Sequence, residues 1–498
     1  MKGQILENIK SGKRPNFLII MSDEHAPMFS NTYGNPAIQT PNMDRLAEQG
    51  STFDSAYCNA PLCIPSRAAF MTGQYVSKCK VWDNASAIPP DAMTWPYLLG
   101  SQGYDVVLSG KMHLIGPDNL HGFNRQLGYE PHGGVYTQAE SRGTTGPQYD
   151  GKHAIYSWDD PMPEADTPWQ SVIDAGAGRT SMIDADDAFE SAALSYLNSK
   201  NRDNDQPFAL CIGFTAPHFP FVVPEPYFSM YYPEKADMPN NPPGHLENLP
   251  AAADRLINTF GLKGYTDEQI MRARAAYYGL VTYLDDKIGR LLDALENNGL
   301  AENTVVIHTS DHGESLGEHG LWRKMNFYEQ SARVPLQISW PNILNGNQRF
   351  SGATSLVDVT ATILDIAGIP KTQLDFWKMD GNSLLPMING QESNWKDEAF
   401  VEHLAHGTDR PRSMIRNGNY KLSYGHGDPP ELELYDLASD SGEFKNLALD
   451  PQYEDIKQKL LDRIMDIWGD PEELNLQIKA SQVARISIRE QIGDEALF

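Results

Sequence analysis

The sequence predicts an α/β fold: a large, mostly parallel central sheet flanked by helices, joined to a smaller C-terminal α+β subdomain. Three observations carry this. Four short apolar runs, Asn16–Ser22, Asp105–Ser109, Phe208–Phe214 and Thr304–Ser310, lack the alternation of a half-buried strand. Unbroken runs of that length mark strands buried on both faces, as in parallel sheets. The intervening segments supply helices, most clearly Asp267–Asn298. There Tyr277, Leu280, Leu284, Ile288, Leu291 and Leu295 keep one apolar stripe, Thr266 and Gln269 form a capping box, and Gly299 is a stop. After Leu385 the pattern shifts to shorter strands, Ser413–Arg416, Tyr420–Tyr424 and Glu431–Leu437, and a polar helix over Glu454–Trp468. The boundary drawn from this separates residues 1–388 from a subdomain over 389–498.

Composition narrows the function. The chain has 498 residues, with 40 Lys and Arg against 66 Asp and Glu, a formal charge of −26. Phosphate neutralisation needs a basic face, so nucleic acid is excluded as a partner, and an anionic membrane surface with it. No apolar run approaches the roughly 18–20 residues of a membrane helix. The first sixteen residues are polar and show no secretory signal. Cys58, Cys63, Cys79 and Cys211 are few and irregularly spaced, which fits reduced thiols better than a disulfide framework. A cytoplasmic location is expected. Two stretches, between Gly128 and Gly178 and between Phe219 and Gly264, lose periodicity and are expected to shape or cover a binding site.

Each apolar run leads at once into residues with chemical potential. The first ends in Asp23-Glu24-His25, the second in Gly110-Lys111-Met112-His113, the third in Thr215-Ala216-Pro217-His218 and the fourth in Asp311-His312-Gly313-Glu314. Open α/β sheets bind ligands outside the carboxyl ends of their strands, so these four clusters should converge on one site. Asp23, Glu24, Asp311 and His312 would then form an oxygen-rich site for one hard divalent cation, completed by a nucleophile and by substrate oxygens. Calcium is the expected ion; the His312 imidazole admits manganese as an alternative, and magnesium is a third candidate.

The most specific segment is Cys63-Ile64-Pro65-Ser66-Arg67, continued by Thr72-Gly73. It resembles the C-x-P-S-R-x-x-x-x-T-G signature of the type I, formylglycine-dependent sulfatases in the alkaline phosphatase superfamily, and fixes six positions over eleven residues. The resemblance implies that a maturation enzyme oxidises Cys63 to formylglycine, whose hydrate is the nucleophile. One hydroxyl of such a gem-diol attacks sulfur, and deprotonation of the other expels sulfate, so no water need attack a covalent intermediate. A helix starting near Cys63 would aim its N-terminal dipole at the sulfate.

By the same likeness Arg67 holds the diol and the metal-side geometry, and Lys111 bridges nucleophile and sulfate. His113 would deprotonate the diol, and His218 and Lys324 would serve the leaving group. The likeness runs from Arg14-Pro15-Asn16 to Asn446-Leu447. Val81-Trp82-Asp83-Asn84, Ser109–Asp118 and Trp322–Pro335 bring it nearest the choline-sulfatase and phosphonate monoester hydrolase branch, in which Asn84 would touch sulfate. The C-terminal subdomain is expected to complete the cleft, and a homo-oligomer is common in that branch. A quaternary ammonium would need an aromatic box, for which Tyr156, Trp158 and Trp169 are positional candidates. Choline sulfatases carry a longer C-terminal tail, so carbohydrate, alkyl and aryl sulfates stay open as substrates. A phosphonate monoester or phosphodiester hydrolase would use the same residues. A non-catalytic binder of sulfated ligands is the remaining alternative; an alkaline phosphatase, with Ser or Thr and two zinc ions, fits less well.

Overall fold

The computed structural model describes residues 14–116, 118–128, 169–199, 205–391 and 394–492. Its centre is an eight-stranded sheet. In chain order the strands are β1 (Asn16–Asp23), β2 (Gly50–Phe53), β3 (Asp105–Gly110), β4 (Arg125–Leu127), β5 (Phe208–Pro217), β6 (Thr304–Ser310), β7 (Leu336–Ser339) and β8 (Gln348–Phe350). They lie side by side as β8-β2-β7-β6-β1-β5-β3-β4. Only β7 runs against its neighbours. The four strands legible as unbroken apolar runs are the four contiguous ones at the centre, β6-β1-β5-β3, all parallel. Ile19 stands between Cys211 and Ile307 in that register, so the four carboxyl ends share one edge.

Both faces of the sheet are covered, which explains the missing alternation. From β1, Leu18 and Ile20 pack on one side with Phe189 and with Leu280 and Leu284. These come from helices α2 (Ser181–Leu197) and α3 (Asp267–Asn297). Phe17, Ile19 and Met21 face the other side and meet Phe70 of α1 (Cys63–Thr72) and Ile363 of α4 (Leu356–Ile366). Each fully buried side chain of this kind contributes about 1.5–3 kcal/mol relative to exposure. The long helix α3 starts at the capping box read from sequence: Thr266 accepts from the Gln269 N–H and the Gln269 side chain accepts from the Thr266 N–H.

The C-terminal part holds an antiparallel four-stranded sheet, β9 (Glu398–His403), β10 (Arg412–Asn417), β11 (Tyr420–Gly425) and β12 (Glu431–Asp436). Helices α5 (Glu454–Trp468) and α6 (Pro471–Ile492) follow it. Phe400, Ile415, Leu422 and Leu434 from the strands form one buried cluster with Ile464, Leu474 and Ile478 from the helices. The same cluster takes in Tyr75, Val76 and Trp82 from the first hundred residues. This apolar seam fixes the C-terminal sheet to the segment after α1.

A buried carboxyl at that seam makes stability pH-dependent. Glu402 on β9 accepts from the Ser77 N–H at 3.0 Å and the Trp468 indole N–H at 2.6 Å. Burial pushes its carboxyl up to about 7, and the Ser77 bonds only partly oppose this. Its folded-state value lies above that of the unfolded chain, so its contribution is complete below about 4.5 and is lost as pH rises through about 7. Between pH 5 and 8 the unfolding free energy of Glu402→Gln should improve relative to wild type by about 2–3 kcal/mol. Denaturant unfolding at the two pH values reads this, and a constant difference would remove Glu402 as the cause.

Candidate active site

The site lies where the central strands end. Asp23 is the last residue of β1 and Glu24 follows it with φ of 67°, a left-handed turn that redirects its side chain. Asp311 and His312 follow β6, and Lys111 and His113 follow β3. His218 follows β5, Lys324 comes from the loop after β6, and Cys63 opens α1. All nine are buried. Close backbone approach makes this possible at one crossing. A Cβ on Gly213 of β5 would lie 1.6 Å from the Lys111 carbonyl oxygen, and one on Gly110, at φ 85°, would lie 2.4 Å from the Gly213 carbonyl oxygen. Lys111 N–H donates to that Gly213 carbonyl at 2.8 Å.

Arg67 organises the acidic groups from one helical turn beyond Cys63. Its Nε donates to Asp311 Oδ2 at 2.7 Å, one terminal nitrogen to Asp23 Oδ2 at 3.0 Å and the other to the Lys111 carbonyl at 2.7 Å. The oxygens are thereby divided. Each Oδ2 is held by Arg67, while Asp23 Oδ1 lies 3.8 Å from Cys63 Sγ and from His312 Nε2. Asp311 Oδ1 accepts from the Glu24 and His312 N–H groups at 3.2 and 2.9 Å. Ser66 donates to the Asp311 carbonyl, tying α1 to the end of β6.

His312 presents a lone pair to this group. Its Nδ1 lies 3.0 Å from the Gly313 carbonyl oxygen, which can only accept, so Nδ1 carries a proton and Nε2 is the nitrogen that a neutral ring leaves to bind. Nε2 stands 3.2 Å from Cys63 Sγ and 3.7 Å from Asp311 Oδ1. Asp23, Cys63, Asp311 and His312 thus offer two carboxylate oxygens, one imidazole nitrogen and the position-63 side chain within 4.8 Å of one another. Three hard or borderline donors plus a variable fourth suit a divalent cation. Glu24 falls in a second group with Asp23 and His218. Its Oε2 is 3.1 Å from both His218 Nε2 and Lys324 Nζ.

Two lysines border these acidic groups. Lys111 Nζ is 2.7 Å from Asp23 Oδ2, and Lys324 Nζ is 2.9 Å from His218 Nε2. His218 Nδ1 lies 2.5 Å from the Phe219 carbonyl oxygen, which by the same tautomer argument leaves Nε2 to accept from the Lys324 ammonium. Burial, followed by Lys324, holds His218 well below the usual imidazole range, so it is neutral. Burial alone would raise the Asp23 carboxyl, yet the Lys111 ammonium and the Arg67 guanidinium hold it well below the usual range. Burial likewise raises Glu24; Lys324 opposes this and Glu314 reinforces it. Burial, then Asp23, pushes the Cys63 thiol up to about 12.

His113 is buried two residues beyond Lys111, with φ of 57°. Half-buried Asn84 places its Oδ1 3.0 Å from the Ile64 N–H, at the first turn of α1. Trp169 holds a cation of this chain: the Arg323 guanidinium lies 5.3 Å from its ring, 5.0 Å from Phe219 and 4.7 Å from Phe260. Tyr156 and Trp158 lie outside the described residues. Sequence reasoning left two supporting residues unassigned. Glu314 accepts from the Leu316 and Arg323 N–H groups, and the Tyr277 hydroxyl donates to the Glu24 carbonyl at 2.6 Å. Glu314 stands in the Asp311–Glu314 cluster; Tyr277, on the core stripe of α3, gives no local signal.

Comparison with known proteins agrees with this geometry. A family profile described as Sulfatase matches residues 15–369, and one described as N-sulphoglucosamine sulphohydrolase, C-terminal, matches residues 317–487. The choline-sulfatase of Rhizobium meliloti (strain 1021) is 33% identical over 97% of this chain and 93% of its own. A solved protein in complex with its substrate D-glucosamine-2-N,6-O-disulfate superimposes with a TM-score of 0.70 at 25% identity, over 93% of this chain and 100% of that one. The phosphonate monoester hydrolase of Agrobacterium radiobacter gives a TM-score of 0.70 at 25% identity, over 91% and 95%. The chain belongs to the sulfatase family, within the alkaline phosphatase-like superfamily, and is a sulfuric ester hydrolase.

Proposed function

We propose that the enzyme releases sulfate from esters of small organic alcohols or sugars, with formylglycine at position 63 and one divalent cation, calcium first among the candidates. One observation carries the reading: a buried residue at the head of α1 stands beside two carboxylate oxygens and an imidazole nitrogen, with Lys111 and Lys324 close enough to act on its charge. The Sγ seen here stands where an oxygen of the hydrated aldehyde would be. Formylglycine supplies two hydroxyls, one to attack sulfur and one whose deprotonation releases sulfate. Asp23, Asp311, His312 and position 63 would hold the cation, which would supply positive charge beside the nucleophile.

The remaining work falls to side chains of this chain. Arg67 keeps both aspartates aimed, and Lys111, fixed on Asp23, offsets charge on the equatorial oxygens. The dipole of α1 adds to this. Lys324 gives a proton at Nζ to the departing oxygen, and neutral His218 steadies it. His113 takes the proton that frees sulfate. Glu24, placed against Lys324 and His218, serves the leaving-group side in this reading as well as bordering the cation site through Asp23. Asn84 contacts sulfate from the mouth of α1.

Two features bear on the substrate. Trp169 already holds Arg323, so a choline headgroup would have to find its aromatic faces elsewhere. The charge of −26 repels polyanions at long range, which favours a small ester or short oligosaccharide over a long sulfated polymer. The four cysteines are unpaired and buried, supporting a reducing compartment such as the cytoplasm. A formylglycine-generating or equivalent maturation enzyme is the required partner. Measuring kcat/KM for matched aryl sulfate and aryl phosphonate esters tests the reaction: sulfate should dominate, and dominant phosphonate turnover would reassign it. Dialysis against a chelator should abolish activity and calcium should restore it best; full activity of metal-free protein would remove the cation from the mechanism.

A further inference from the structure

The nucleophile helix is steadied from the far end of the chain. Asp83 is fully buried, in the loop that carries Asn84. Its Oδ1 accepts from the Ala85 N–H at 2.9 Å and the Ser86 hydroxyl at 2.9 Å. Arg485 of α6 completes the set bidentately, from one terminal nitrogen to Oδ1 at 2.6 Å and from the other to Oδ2 at 2.7 Å, and it donates to Ser86 at 2.6 Å. Burial alone would raise this carboxyl, and Arg485 holds it below the usual range instead. A paired guanidinium and carboxylate of this kind fixes direction as well as distance. Apolar packing aligns the same elements, since Trp82 shares a buried cluster with Leu474 and Ile478 of α6.

The next residue after Asp83 is Asn84, whose side-chain oxygen receives the Ile64 N–H beside Cys63. We propose that Arg485 is a positioning residue: through Asp83 it holds Asn84 where it both caps the start of α1 and meets the sulfate. This rests on the reading of Asn84 as a sulfate contact. Loss of Arg485 would leave Asp83 buried without its cation and free the loop to shift, and displacements near 1 Å at such a site cost roughly 10- to 100-fold in rate.

The test is a double-mutant cycle on matured protein, with formylglycine content equalised by mass spectrometry. Arg485→Ala should lower kcat/KM for an aryl sulfate roughly 10- to 100-fold. Arg485→Lys should recover part of that, and added guanidinium should rescue Arg485→Ala where sodium chloride of equal ionic strength does not. In an Asn84→Ala background Arg485→Ala should cost almost nothing more. If Asn84→Ala alone is as active as wild type, the sulfate contact is wrong and the inference falls with it. If Asn84→Ala is impaired but Arg485→Ala is silent, or costs the same factor in both backgrounds, only the inference is overturned. Should Arg485→Ala fail to fold, Arg485→Lys in the same cycle measures the same coupling.

Discussion

Cys63→Ala should abolish sulfate ester hydrolysis, lowering kcat by roughly 10⁴-fold or more while the protein stays folded. The side chain is small and sits at the head of α1, so its removal leaves a cavity of about one heavy atom, worth about 1 kcal/mol. Its chemical loss is total. The plain thiol would fare little better than alanine, because it has no second hydroxyl whose deprotonation could release sulfate. Steady-state turnover of an aryl sulfate, with unfolding monitored in parallel, checks this, and residual activity above about 1% would place the nucleophile elsewhere.

Lys324→Ala carries the second large effect, and its signature depends on substrate. Lys324 is buried, and its ammonium lies 3.1 Å from Glu24 Oε2 and 2.9 Å from His218 Nε2. An ammonium fixed in that place has a proton to give a departing oxygen. An alkoxide leaving group needs that proton, whereas a nitrophenolate leaves without it. For an alkyl sulfate the variant should lose roughly 10²–10⁴ in kcat/KM, and for nitrophenyl sulfate far less. An equal loss for both would mean that Lys324 acts on sulfate charge alone.

Much of this is legible in the sequence because strands buried on both faces show themselves as unbroken apolar runs, and the polar residues that close them fall on one sheet edge. Asn16–Ser22 and Thr304–Ser310 are such runs, and their pairing in register is what sets Asp23 beside Asp311. Other elements are hidden. Strand β7 spans four residues, too few for any period. Strand β9 reads Glu-Ala-Phe-Val-Glu-His, whose polar residues suggest a surface. They are buried because Arg463 pairs with Glu398, and Ser77 and Trp468 bond Glu402. The direction of Glu24 is hidden too, since it follows from one positive φ. The motif places Arg67 beside the nucleophile; that it bridges both aspartates is a fact of three-dimensional arrangement. Arg485 lies some four hundred residues from Asp83, and no local pattern announces the pair.

The central claim is that position 63 works as an aldehyde and not as a thiol. Intact-protein mass spectrometry on batches made with graded amounts of a formylglycine-generating enzyme, each assayed for sulfate release, measures this most directly. Specific activity should rise in proportion to the converted fraction and extrapolate to zero for unmodified Cys63. Full turnover by protein carrying only the thiol would contradict the account.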